Sequence, residues 1–190
     1  MGEPGVPNGF RRDEENLKRA SLCYKRGVDA MEKQDWALAS EMFSLSVQFC
    51  PDKLNFRQLL RNCVCKRYRD NKTGAGGIAA VRLKGIYAGV RKAMGAEDWR
   101  RADQLCEQGL AINPWDLFLN ANLSRVARRR GFLEVARFCL TFALGLAPRS
   151  YPIHLELMEV LREMEQQEEA DRIQEFLDRL DDEPDEDPGG

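Results

Sequence analysis

Apolar residues recur every three or four positions from about residue 15 to about residue 180, interrupted only by short polar breaks, as in a series of amphipathic helices. The pattern predicts helices over 15–33, 36–50, 54–70, 78–95, 98–111, 116–130, 132–146, 151–165 and 167–180. No stretch keeps a period of two for long, so no β-sheet is expected. Breaks at Gln34-Asp35, Ala96-Glu97 and Arg130-Gly131 are so short that the helices they join must run antiparallel as neighbours. At Asn113-Pro114-Trp115-Asp116, Asn113 suits a left-handed cap, Pro114 stops the helix and Asp116 can cap the next one. Pro51-Asp52 and Pro148-Arg149-Ser150 occupy equivalent places.

A repeat underlies these breaks. Ala102, Ala136 and Ala170 are each 34 residues apart, as are Pro114 and Pro148, and Leu123 and Leu157. Ala39, with Phe43 and Pro51 after it and Gly27 twelve residues before it, is an earlier copy with the same small residue and proline, while Cys106 and Leu140 replace the aromatic in the later ones. Small residues at the crossing let two helices of one hairpin approach closely. On these residues the chain resembles the tetratricopeptide repeat (TPR) family over about 15–180, and around Asp98-Trp99 and Gly109–Asp116 it is similar to bacterial TPR proteins of undefined role. The resemblance implies an all-α solenoid of about four antiparallel hairpins, packed at Gly27, Ala39, Phe43, Pro51, Ala102, Pro114, Ala136, Pro148 and Ala170. The family's first-helix tryptophan is replaced by Cys23, Ile86, Asn120 and His154.

The register fails once. Pro51 to Pro114 spans 63 residues where two repeats need 68, so an irregular joint is expected over 52–82, around the glycines of 71–77. Charge is sorted about the same place. Arg57 to Arg101 holds 12 Lys/Arg against 3 Asp/Glu, while Pro152 to the end holds 3 Arg against 15 Asp/Glu. Residues 1–14 and 181–190 are poor in apolar residues and rich in Pro, Gly or acid, and are expected to be disordered. Six scattered cysteines without a C-x-x-C pair suggest buried thiols in a reducing compartment. No run is apolar enough to span a bilayer and no leader pattern is evident, so a cytoplasmic protein is expected. A monomer is the expected state, with self-assembly left open as an alternative.

The residues offer little for catalysis. His154 is the sole histidine, and its core-facing position suggests a packed imidazole. Lys72-Thr73 precedes the glycines rather than following them, so 71–77 is not a phosphate-binding loop. Neither enzymatic activity, metal nor cofactor is expected. In the repeat family the first helix of each hairpin lines a concave groove. The resemblance therefore places Tyr24, Lys84, Tyr87, Arg91, Phe118, Arg125 and Arg128 in a groove suited to an extended, acidic peptide of another protein. Alternative readings are nucleic-acid binding through the basic 57–101 stretch, which the scarcity of stacking aromatics disfavours, and self-assembly through the end hairpins.

Overall fold

The computed structural model describes residues 8–182, with side chains from 13 to 180. Among the described residues there are nine helices and no strand: α1 (Asn8–Glu32), α2 (Trp36–Phe49), α3 (Leu54–Arg67), α4 (Ile78–Gly95), α5 (Trp99–Leu110), α6 (Leu117–Arg129), α7 (Leu133–Leu144), α8 (Tyr151–Glu163) and α9 (Gln167–Asp182). None is long and apolar enough to cross a membrane. α1 starts at Asn8, within the segment expected to be disordered, and residues 1–7 lie outside the described ones. Charge spacing supports part of the early helix, since Glu14 pairs with Lys18 at 2.8 Å and Glu15 with Arg19 at 2.5 Å, each four residues apart. α9 runs on to Asp182, so the first residues of the expected acidic tail are helical, and 183–190 lie outside the described ones.

Four hairpins, α1–α2, α4–α5, α6–α7 and α8–α9, are closed by one and the same turn. Gln34, Glu97, Gly131 and Glu165 all adopt positive φ, between 55° and 76°. After each, a backbone N–H reaches back to the carbonyl five residues earlier: Asp35 to Ala30, Asp98 to Ala93, Phe132 to Ala127 and Gln166 to Leu161, at 2.8–2.9 Å. This is the Schellman cap, which satisfies carbonyls that the helix end would leave bare. Asp35 and Asp98 serve the next helix as well, accepting from the N–H of Leu38 and Arg101 at 3.0 Å. One aspartate thus ends one helix and starts the next, which is why so short a connection suffices.

Inside each hairpin the crossing is made by a residue without bulk. Ala39, Ala102, Ala136 and Ala170 are fully buried. A Cβ on Gly27 would meet the Phe43 ring at 2.8 Å, so glycine sets the α1–α2 separation. Pro114 is buried, whereas Pro51 is half-buried and Pro148 exposed, so the prolines act as helix stops more than as packing.

The core is in two parts. Phe43, Val47, Phe56, Leu60 and Val64 join α1, α2 and α3. A larger cluster, from Leu83 to Ala170, joins α4 through α9. Between them α3 ends at Arg67, short of the expected residue 70, and the chain passes through Arg69, Asp70, Lys72, Gly74 and Gly77, all at positive φ. α3 packs on α2 and then against α7, turning away from α4.

The left-handed turn residues give a direct check. A non-glycine side chain there costs roughly 1–2 kcal/mol. Glu97→Gly is therefore expected to raise stability by about 0.5–1 kcal/mol, and Gly131→Ala to lower it by about 1 kcal/mol, in denaturant unfolding. Equal stabilities would contradict the turn assignment.

Candidate functional site

The joint between the two cores is held by charge. Arg57 on α3 is only 1% exposed. Its Nη1 and Nη2 donate to both oxygens of Asp103 on α5 at 3.0 and 2.8 Å, and Nη1 also donates to Glu107 at 2.6 Å. Nε donates to the Pro51 carbonyl at 2.9 Å. Arg130 donates to the same Asp103. Burial works against the Arg57 charge, but Glu107 and Asp103 outweigh it and raise its pKa. At Arg130 burial dominates and lowers the pKa; Asp103 opposes this, while Arg57 and Arg100 add to it. A turn further along α3, Arg61 donates to the Pro114 carbonyl at 3.1 Å and lies over the Phe142 ring of α7 at 5.4 Å.

The joint is fastened on its far side too. Tyr68 donates to the Ala111 carbonyl at 2.9 Å and Ala75 N–H to the Ile112 carbonyl at 2.8 Å. Gly74 lies so near that a Cβ would meet the Ile112 oxygen at 2.4 Å, and its φ is +74°. Asn71 shapes the loop, accepting from the N–H of Thr73 and Gly74 at 3.0 and 2.8 Å.

Because α3 docks across α5 and α7, a cleft of about 780 Å³ opens between α2, α4 and α5. Its floor is apolar, formed by Val47, Ile86, Leu105 and Ile112, with Asp103, Glu107 and Arg130 at one end. Its rim is exposed and polar: Gln48, Arg82, Arg100, Gln104 and Gln108. Neither Arg82 nor Arg100 has an ion-pair partner among the described residues, whereas the cations at the joint do. An apolar floor under a convergent polar rim is the ordinary form of a binding site.

The residues picked from the sequence fall in three places. Tyr24 belongs to the first core, its ring 5.9 Å from Phe43 and 5.5 Å from Phe56. Tyr87, Arg91 and Phe118 do come together across α4 and α6: the two rings are 5.0 Å apart and Arg91 stands 5.1 Å over Phe118. Tyr87 donates to Asp116, and burial, then that bond, pushes its pKa up to about 12. Lys84 is exposed on the same helix. Arg125 and Arg128 lie farther along α6 and are already engaged. Arg125 Nε donates to Glu156 at 2.9 Å, and Arg128 donates to Glu163 at 2.8 Å and Glu159 at 2.5 Å. A second hollow of about 730 Å³ is lined by these pairs, so the positive charge expected of it is neutralised by α8.

Two other sequence expectations meet the structure. His154 is buried with its ring 4.6 Å from Phe176 and Nδ1 3.0 Å from the Ser150 carbonyl, a packed imidazole. Five of the six cysteines are buried, and burial raises Cys63 to about 11 and Cys139 to about 12, far from a reactive thiolate.

No known family profile matches the sequence, and no curated protein matches it. Among solved structures the chain is similar to a point mutant of MamA at 15% identity and TM-score 0.49, over 85% of this chain and 96% of that one. A second MamA structure matches at 12% identity and TM-score 0.48, over 84% and 90%. The C-terminal TPR-containing domain of a Plasmodium falciparum FK506-binding protein matches at 15% identity and TM-score 0.42, over 83% and 95%. In this chain itself the hairpin turn and the buried alanine both recur with the 34-residue step from Glu97 and Ala102 onward, and Gln34 and Ala39 both stand 63 residues before them. The fold is an all-α, TPR-like solenoid.

Within that solenoid the cleft was the part the sequence concealed. Arg82 and Arg100 lie among many cations, and the docking of α3 is what buries and pairs Arg57 while leaving those two on the cleft rim. The one sequence signal was the five-residue shortfall. The loop that closes the joint is testable at Gly74, where alanine meets both a forbidden φ and a backbone oxygen. Gly74→Ala is expected to cost about 1–3 kcal/mol in urea unfolding and to admit protease within 68–77. A neutral substitution would contradict the contact.

Proposed function

We propose that this TPR-like chain is a non-catalytic protein-binding scaffold, and that it holds a segment of a partner protein in the cleft between α2, α4 and α5. The observation that supports it is the pairing of an apolar floor with a polar rim of Gln side chains and of Arg82 and Arg100, which have no ion-pair partner among the described residues. Polar rims of this sort orient a ligand while the floor supplies most of the free energy. The concave side, where Tyr87, Arg91 and Phe118 meet, is the other candidate, with Lys84 beside it. Its remaining arginines, Arg125 and Arg128, are already paired with carboxylates of α8, which favours the cleft. Six free cysteines support placement in a reducing compartment such as the cytoplasm.

The nucleic-acid alternative drew on the basic stretch from Arg57 to Arg101. Arg57 and Arg61 are buried, and Lys66 pairs with Asp70 at 2.9 Å, so the stretch is not one continuous cationic surface. That weakens the footprint which phosphate binding needs.

Selection of displayed random peptides on the full chain tests the reading. Enriched peptides are expected to lose binding to Gly85→Trp, which fills the cleft from α4, and to keep binding to Lys84→Glu/Arg91→Glu on the concave side. Failure to enrich any peptide, or binders indifferent to Gly85→Trp, would overturn it.

A further inference from the structure

α4 carries an uncovered stripe. Ile78 is 85% exposed and Val81 67%, the two most exposed large apolar residues among those described. With Arg82 and Gly85 they follow the three-and-four spacing of one helix face, which is covered from Gly89 on, where a Cβ would meet Leu105 at 3.2 Å. Tyr87 packs against Phe118 on another face of α4, and Leu83, Val90 and Ala93 face the core, so the stripe of Ile78 and Val81 belongs to neither. It is the edge on which a preceding hairpin would stack in an unbroken solenoid. Here α3 packs against α2 and α7 instead, and the edge continues into the cleft through Arg82, Gly85 and Ile86.

Gly85 on this edge sharpens the point. A helix-interior glycine costs about 1 kcal/mol against alanine. Gly27 and Gly109 offset that cost with contacts that a Cβ would break, at 2.8 Å from Phe43 and 2.4 Å from Leu119. A Cβ on Gly85 would meet nothing within 4 Å. No contact among the described residues accounts for it, whereas a helix laid against α4 could come close there.

Charge then selects the occupant. Arg82 stands on α4 and Arg100 on α5, both exposed and without ion-pair partners among the described residues, on either side of the apolar floor. Arg100 already bears unfavourably on Arg130, whose carboxylate partner Asp103 is shared with Arg57. The cleft therefore holds more positive than negative charge, and carboxylates are the groups that would balance it.

We infer that the cleft and the uncovered α4 edge together take an amphipathic helix of a partner protein, its apolar stripe on Ile78, Val81, Val47 and Ile86 and its flanking carboxylates on Arg82 and Arg100. This rests on the cleft being the binding site. It adds that the ligand is helical and acidic. In effect the partner supplies the helix that the irregular repeat leaves out.

The probes are three synthetic peptides: a labelled Leu/Glu amphipathic helix of about four turns, its Leu/Lys twin, and the Leu/Glu peptide with a central proline. Anisotropy with the full chain is expected to show the Leu/Glu peptide binding at least about tenfold tighter than either of the others. Raising the salt should weaken it. Arg82→Glu/Arg100→Glu should invert the order of the Leu/Glu and Leu/Lys peptides, and Gly85→Trp should abolish both, with the circular dichroism of each variant unchanged. Equal or tighter binding of the Leu/Lys twin, or a preference that survives the double reversal, would overturn the proposal. So would full affinity of the proline peptide, which would assign the cleft to an extended strand. If displayed peptides depend on the cleft and the Leu/Glu helix does not bind, the binding site stands and the acidic-helix inference falls. A mass in light scattering that rises with concentration and returns to monomer in Gly85→Trp would assign the edge to a second copy of the chain, and would equally overturn it.

Discussion

A guanidinium with almost no access to water, Arg57, sets the shape of this molecule. Removing such a group from water costs several kcal/mol, and only close, well-directed partners offset that cost. Asp103 meets both terminal nitrogens, Glu107 takes a second bond from one of them, and the Pro51 carbonyl takes the inner N–H. These partners come from α5 and from the turn before α3, so the charge is satisfied only when α3 lies across the second helices of the later hairpins. Buried pairs of this kind contribute little net stability compared with an apolar contact of the same shape. What they supply is a penalty for every other placement of α3.

That placement has two consequences. Arg61 and Tyr68 follow Arg57 along α3 and onto backbone carbonyls at Pro114 and Ala111, so the whole helix is registered on α5 to α7. It also withdraws α3 from the side of α4. Ile78 and Val81 then face water, and the space beside them becomes the cleft with Arg82 and Arg100 on its walls. The irregularity in the repeat and the candidate site are thus one feature seen from its two sides.

How much of this can be read from the chain depends on the range of the interaction. The 34-residue step reflects local chemistry that each hairpin repeats: a buried alanine at the crossing and a left-handed turn residue. Even here composition hides something, since the turn falls on Gln34, Glu97 and Glu165 and only once on a glycine. The fold class and Ala39, Ala102, Ala136 and Ala170 could be found because they recur. Arg57 could not, because arginine is ordinarily a surface residue and its partners lie 46 and 50 positions away. Arg125 and Arg128 are an intermediate case. Their carboxylates, Glu156 and Glu159, each lie 31 positions on, nearly one repeat, in the first helix of the next hairpin. Comparing adjacent repeats for opposite charge would have shown those two arginines to be engaged.

The docking of α3 depends on Arg57 and Asp103 acting as one unit. A double-mutant cycle in denaturant unfolding, with Arg57→Met, Asp103→Leu and both together, measures this. Each single substitution takes a close partner from a buried charge, while Asp103 keeps Arg130 and Arg57 keeps Glu107, and is expected to cost about 3 kcal/mol; the pair removes both charges and recovers much of it. The coupling should therefore be about 2 kcal/mol or more. Effects that add to within about 0.5 kcal/mol would show that the two residues do not sense each other, and would contradict the docking of α3 on which the cleft depends.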